Sequence, residues 1–316
     1  MAGMRISLSI VGLTPDGPDP IDSLVRDLTA LRDAGFGRVW LAQLPFDIDL
    51  PTVLGIALRA VDGIEVGSGV IPIQPQHPMQ LAQRALTLSL ISGGRFLLGI
   101  GMSHRMVAEG MWGVSWDRPV RQMREYLDGL QPLLAGRPAD VTGEFWSTRG
   151  ALRLAGGGTS PPEPPVYLAA LGPQMLRLAG RRTAGTLTWM TGPKTLAGHI
   201  VPTLRQAAAD AGRSGSDVRV VASLPVSVTD DVEGARAQAV EQFAVYGTLP
   251  SYRAMLDREG YVNPEDAAII GDEQTVSQRL DELAAAGVDE FTAAVFDADP
   301  EIRARTRALL VSRQTG

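Results

Sequence analysis

Short apolar runs alternate with longer amphipathic segments along most of the chain. Arg5–Val11 (RISLSIV) predicts a first strand, and Gly12–Pro20, rich in Gly, Pro and Asp, predicts a loop. Across Ile21–Ala34 the apolar positions Leu24, Leu28 and Leu31 recur at helical spacing, and the glycines at 35 and 37 mark the stop. The alternation continues with strands at Arg38–Ala42, Ile64–Val70 and Arg95–Ile100. Helices at Leu50–Ala60, Pro78–Ile91 and Pro119–Leu134 follow these strands in turn.

The rhythm then breaks. Residues 136–165 are rich in Gly and Pro and read as a long insertion after the fourth unit. A small hairpin is expected there, from Glu144–Trp146 and Ala151–Leu154. Loops of this length in compact domains are commonly functional. The alternation resumes with strands at Val166–Ala170, Gly185–Trp189, Arg219–Val226 and Glu290–Val295. Helices are expected at Pro173–Arg182, Lys194–Ala211, Asp231–Val245, Pro250–Glu259, Thr275–Ala286 and Pro300–Arg313.

Eight β–α units in strict order predict a parallel sheet, and eight suits closure into an α/β (β/α)8 TIM barrel, a single domain over residues 1–316. The alternative is an open doubly wound sheet, which places phosphate-binding glycines after its first strand. Here Gly12 is followed by Leu13-Thr14-Pro15, which is no dinucleotide fingerprint, so the barrel is favoured.

Composition narrows the partners. The 316 residues carry a formal charge of −6, which argues against non-specific nucleic-acid binding. No cysteine is present, so disulfides and thiolate metal sites are excluded and a reducing, cytoplasmic setting is expected. No signal-peptide pattern opens the chain, and no apolar run approaches the roughly 18 residues of a membrane span. The three histidines are dispersed, so no metal site is expected.

Barrel sites form at the C-terminal ends of the strands. Those ends here are Gln43-Leu44, Gly67-Ser68-Gly69-Val70, Gly99-Ile100-Gly101-Met102-Ser103-His104, Ala169-Ala170-Leu171-Gly172-Pro173 and Trp189-Met190-Thr191. Small residues dominate and ionisable groups are few. Such a rim binds through shape and main-chain N–H groups, and leaves the demanding chemistry to a cofactor. Gly172-Pro173 opens a helix, whose N-terminus attracts phosphate, although an ordinary strand-to-helix turn looks the same in sequence.

Three stretches resemble the luciferase-like monooxygenases and the coenzyme F420-dependent oxidoreductases grouped with them. They are VGSGVIPIQPQHPMQLAQRALTLSLISGGRFLLGIGMSH (66–104), PVYLAALGPQMLRLAGRRTAGTL (165–187) and IIGDEQTVSQRLDELAAAGVDEF (269–291). The resemblance implies a barrel with an insertion and a flavin-type cofactor, F420 in preference to FMN. It implies a non-prolyl cis peptide at Gly69-Val70 against the cofactor ring. It places Met102 and Ser103 near the ring or its side chain, and Ala169, Ala170, Leu171 and Gly172 at the phosphate. Arg177, Arg181 and Lys194 are candidates for the anionic tail or plain surface charges. A homodimer and a small-molecule substrate are further implications.

One position departs from the pattern. Many F420-dependent members carry Asp-His after the second strand, where this chain has Gln43-Leu44. Gln43 can hydrogen-bond a ring carbonyl or a substrate but cannot act as a general acid or base near neutral pH. His104 is then the candidate acid–base group, or an exposed first-turn residue. His77 is expected to be architectural, Glu109 a surface charge and His199 a structural residue remote from the rim. Met111, Trp112, Trp116 and Trp146 line a pocket or cap the core. The expected activity is hydride transfer between the deazaflavin C5 and a small organic substrate. The alternatives are an FMN-dependent monooxygenase and a non-catalytic F420 or flavin carrier.

Overall fold

The computed structural model describes residues 3–11, 19–154 and 161–314. Most of the expected Gly12–Pro20 loop, and residues 155–160 of the insertion, lie outside the described residues. Eight strands carry the fold: β1 (Arg5–Ile10), β2 (Arg38–Leu41), β3 (Glu65–Ser68), β4 (Phe96–Gly101), β5 (Val166–Ala169), β6 (Gly185–Trp189), β7 (Arg219–Val228) and β8 (Glu290–Val295). They hydrogen-bond in chain order from β1 to β6, β6 pairs with β7, β7 with β8, and β8 with β1. This is the connectivity of a closed (β/α)8 TIM barrel, an α/β fold. Two short pieces are added to it, Ile71–Pro72 beside β4 and Ile269–Gly271 beside β7.

The chain divides into two compact units. One comprises residues 1–10, 34–40 and 170–316, the other residues 11–33 and 41–169. In the first, β8 runs parallel to β1 with Glu290 opposite Arg5, and parallel to β7 with Glu290 opposite Val221. In the second, β4 runs parallel to β3 with Phe96 opposite Val66, and parallel to β5 with Leu98 opposite Val166. All six residues of β4 are buried, as expected for a parallel strand covered on both faces.

Local chemistry fixes where the helices start. Asp49 Oδ2 accepts the Thr52 N–H at 3.0 Å and opens helix Leu50–Ala60. Asp231, Asp272 and Asp299 cap the helices Val232–Phe243, Glu273–Ala285 and Pro300–Ser312 in the same way. Helix Pro78–Ser92 ends on Gly93 in the left-handed conformation, φ 63°.

Two segments differ from expectation. The insertion hairpin pairs Ala139–Thr142 with Ser147–Gly150, not Glu144–Trp146 with Ala151–Leu154. The Glu125 carboxylate, on helix Pro119–Leu134, accepts the N–H groups of Phe145 (2.7 Å) and Trp146 (3.3 Å). Those residues are thereby held as the turn. The helix expected over Lys194–Ala211 is interrupted. It comprises a turn at Pro193–Thr195, a π-helical turn at Leu196–Ile200 and an α-helix at Val201–Asp210. Pro202 explains the break, because in a continuous α-helix its ring would meet the carbonyl of Gly198.

Candidate functional site

The C-terminal ends of β3, β4 and β5 belong to the second unit. The Gly69–Val70 peptide is cis, as the resemblance implied. Gly69 N donates to Leu41 O at 2.6 Å and Gln43 N to Val70 O at 3.4 Å, so the end of β2 holds both sides of this peptide. The Val70 side chain lies across β4. A Cβ built on Gly101 would sit 2.8 Å from Val70 Cγ2 and 3.1 Å from the Ala169 Cβ. Glycine at 101 is therefore what lets Val70 occupy this place.

Gln43 is half-buried, and its amide is spent on its own loop. Nε2 donates to Leu44 O (2.9 Å) and Ile48 O (3.3 Å), while Oε1 accepts Leu50 N at 2.6 Å. The side chain shapes the entry to helix Leu50–Ala60, and a ligand would have to displace these bonds to use it.

Met102, Ser103 and His104 follow β4, all half-buried. Ser103 N donates to Gln74 Oε1 at 3.1 Å, and the Trp116 indole N–H donates to Ser103 O. Gln74 is 6 % exposed, and its Nε2 is buried without a hydrogen-bond partner among the described residues. A buried amide donor left open costs free energy. Gln74 was not singled out from sequence, because nothing separates it there from the neighbouring Gln76. Gln76 is fully engaged, with Nε2 on Pro72 O and Oε1 on Arg84. His104 precedes helix Arg105–Gly110 and makes no side-chain cap bond. Burial holds its imidazole below the ordinary value of 6.5, which favours the neutral ring.

The remaining candidates in this unit are structural. His77 Nδ1 accepts Met79 N at 3.2 Å, and Nε2 donates to Ser147 O at 2.9 Å. The imidazole thus caps helix Pro78–Ser92 and ties it to the insertion hairpin. Trp146 packs edge-on against Tyr126, ring centres 5.2 Å apart, and against His77, so it caps the core. Met111 is exposed, and Glu109 pairs with Arg105 on the surface.

The first unit presents the ends of β6 and β8 and the segment after β5. Ala170 is buried, Leu171 half-buried and Gly172 exposed. Ala170 N donates to Leu187 O at 3.4 Å. Among the described residues, the N–H groups of Leu171 and Gly172 have no acceptor. Gly172 leads into helix Pro173–Arg182 without a side-chain cap, and a Cβ on it would meet nothing within 4 Å. Here glycine is not demanded by the protein's own packing. His199 lies against this segment, its Nε2 2.8 Å from Leu171 O, and not remote from it as the sequence suggested. Arg177, Arg181 and Lys194 are exposed.

Sequence also gave no reason to join Trp189 to Phe243, Tyr246 and Phe296. Trp189 stacks edge-on with Phe243 (5.9 Å) and Tyr246 (5.7 Å), and Phe243 with Phe296 (5.4 Å). The signal was there in part, since Trp189 ends β6 and Phe296 follows β8. Met190, next to Trp189, is fully buried with φ 54°, a region uncommon for non-glycine residues and frequent at functional sites.

Among the described residues no group of His, Asp and Glu side chains can hold a metal ion, and no helix is long and apolar enough to cross a membrane. The chain is similar to a 5,10-methylenetetrahydromethanopterin reductase of Methanolobus tindarius, 29% identical over 255 residues, 80% of this chain and 75% of the relative. The fold matches a coenzyme F420-dependent tetrahydromethanopterin reductase from Methanopyrus kandleri, with TM-score 0.81, 22% identity and 99% of each chain covered. It also matches the oxygenating constituent of 3,6-diketocamphane monooxygenase from Pseudomonas putida, solved with FMN, with TM-score 0.77, 18% identity and 99% and 98% coverage. The luciferase-like monooxygenase model matches residues 4–290, nearly the whole barrel, and the chain belongs to that family.

Proposed function

We propose that the protein is a coenzyme F420-dependent oxidoreductase that moves a hydride between the deazaflavin C5 and a small organic substrate. The observation that carries this is the pair of open N–H groups at Leu171 and Gly172, at the start of helix Pro173–Arg182. They suit a phosphate, because peptide donors at a helix N-terminus favour negative charge without needing a basic side chain. Gln74, whose Oε1 accepts the Ser103 N–H, holds the segment after β4 in place. The relatives that match across most of the chain include one named as a putative coenzyme F420-dependent oxidoreductase, which favours F420 over FMN.

When bound, F420 supplies a two-electron hydride donor or acceptor. The chain's own residues do the rest. Gly69, Val70, Met102 and Ser103 would flank the ring. Ala169, Ala170, Leu171 and Gly172 would hold the phosphate end. Gln43 keeps the β2 loop in place, with its bonds to Leu44, Ile48 and Leu50, and so supports the Gly69–Val70 peptide. His104, neutral through burial, is the group suited to take up or release a proton at an imidazole nitrogen as substrate reduction or oxidation requires. The rim would orient the substrate and keep water out.

The FMN-bound neighbour supports a second reading, an FMN-dependent monooxygenase. Reduced F420 offered with a panel of enones, imines and ketones should be oxidised under nitrogen. Oxygen uptake with reduced FMN, and no anaerobic turnover, would favour the second reading and remove the first.

A further inference from the structure

His199, like His77, takes no part in the proposed chemistry, and its placement is specific. It sits in the π-helical turn Leu196–Ile200, where the Val201 N–H reaches back five residues to Leu196 O. Such a turn adds a residue to the helix and turns what lies within it, and π-turns occur often at functional sites. Pro202 demands it, having no N–H to give to Gly198 O. The result is that Nε2 of His199 comes to 2.8 Å from Leu171 O.

A carbonyl oxygen can only accept, so Nε2 carries the hydrogen, and both the neutral Nε2–H imidazole and the imidazolium can donate it. The Leu171–Gly172 peptide is trans, since the sole cis bond found among the described residues is Gly69–Val70. In a planar trans peptide the C=O and N–H point in opposite directions. Fixing the carbonyl on His199 therefore fixes the Gly172 N–H on the opposite side. That N–H has no acceptor among the described residues.

We infer that His199 is a positioning residue that locks the Leu171–Gly172 peptide so that the Gly172 N–H is presented to an anionic phosphate. The inference rests on the proposed F420-type cofactor. It adds that the phosphate donor is held by a side chain 28 residues further on, and that the π-turn exists to bring that side chain there. Without His199 the peptide is free to rotate, and its carbonyl can then face the phosphate and repel it.

The test compares two ligands that differ at the phosphate. F420 and FO, the same deazaflavin ending at its ribityl hydroxyl, are titrated by fluorescence against wild type, His199→Phe and His199→Gln. Circular dichroism and the thermal midpoint check each variant's fold. Wild type should prefer F420 over FO. His199→Phe should weaken F420 binding by about tenfold, the size of one oriented N–H to a charged acceptor, and leave FO unchanged. His199→Gln keeps an amide donor on a flexible stem and should recover part of the loss. Equal weakening of both ligands, or no change in either, would overturn the positioning role while leaving the cofactor assignment intact. Wild type that binds neither F420 nor FMN would overturn the proposed function itself.

Discussion

The two ends of the strands treat their polar groups differently. At the N-terminal end of β8, Glu290 is 4 % exposed and accepts from Ser7 Oγ (2.7 Å), Trp40 Nε1 (2.7 Å) and Arg38 (2.5 Å). Three side chains from β1 and β2 close on one carboxylate of β8. At the C-terminal ends, Gln74 Nε2 and the N–H groups of Leu171 and Gly172 have no partner among the described residues. Polar atoms that are all satisfied from within stabilise a fold. Polar atoms left open cost stability and are retained where a ligand completes them. The start of β8 thus carries a closed polar cluster, while the segments after β5 and after Ile71–Pro72 carry donors that the fold leaves unused.

The largest effect should come from breaking the closed end. Glu290→Ala leaves the buried Arg38 guanidinium and the Trp40 indole N–H without their carboxylate, and should cost about 3–5 kcal/mol in chemical denaturation. The folded fraction should bind F420 as wild type does. A loss below about 1 kcal/mol would show that water replaces the carboxylate easily, and would erase the contrast between the two ends.

His104→Asn reaches the open end. Turnover should fall by about 10²-fold or more, the usual contribution of a general acid–base group, with F420 affinity kept. Burial lowers the imidazole below 6.5, so the folded state resists the proton that the unfolded chain accepts. Stability should therefore decline as pH falls below 6.5, where only the unfolded state gains the proton. In the pH–rate profile, wild type should show a limb below 6.5 that His104→Asn lacks. The same limb in both proteins would assign the proton chemistry elsewhere.

Smaller effects are expected at two glycines of the open end. Gly101→Ala drives a Cβ into Val70 and Ala169 and should cost about 1–3 kcal/mol together with weaker F420 binding. Gly172→Ala meets open space at φ −77°, so stability should change by about 1 kcal/mol at most. If phosphate occupies that space, F420 binding should still weaken by about tenfold, or 1.4 kcal/mol. Unchanged affinity in Gly172→Ala would place the phosphate elsewhere.

The eight strands were legible because each is a short apolar run bounded by Gly, Pro or Asp, and their number, with no dinucleotide fingerprint after the first, favours the barrel. The cis Gly69–Val70 and the strand-end glycines were legible through family resemblance. The insertion hairpin was misplaced because a buried carboxylate 20 residues away, Glu125 on Phe145, decides where it turns. His199 was set apart from the rim because periodicity assumes one continuous helix, and Pro202 introduces a π-turn that no apolar pattern signals. Gln74 was missed because an unpartnered amide is a property of packing and has no sequence signature. Gln43 was read as a residue for the ligand, but Leu50 N and the carbonyls of Leu44 and Ile48 take up its amide.

The most direct test of the central claim is parallel titration of the purified protein with F420 and FMN, followed by absorbance and fluorescence. F420 should bind saturably, with FMN weaker by about tenfold or more. Binding of FMN in preference to F420, or of neither, would contradict it.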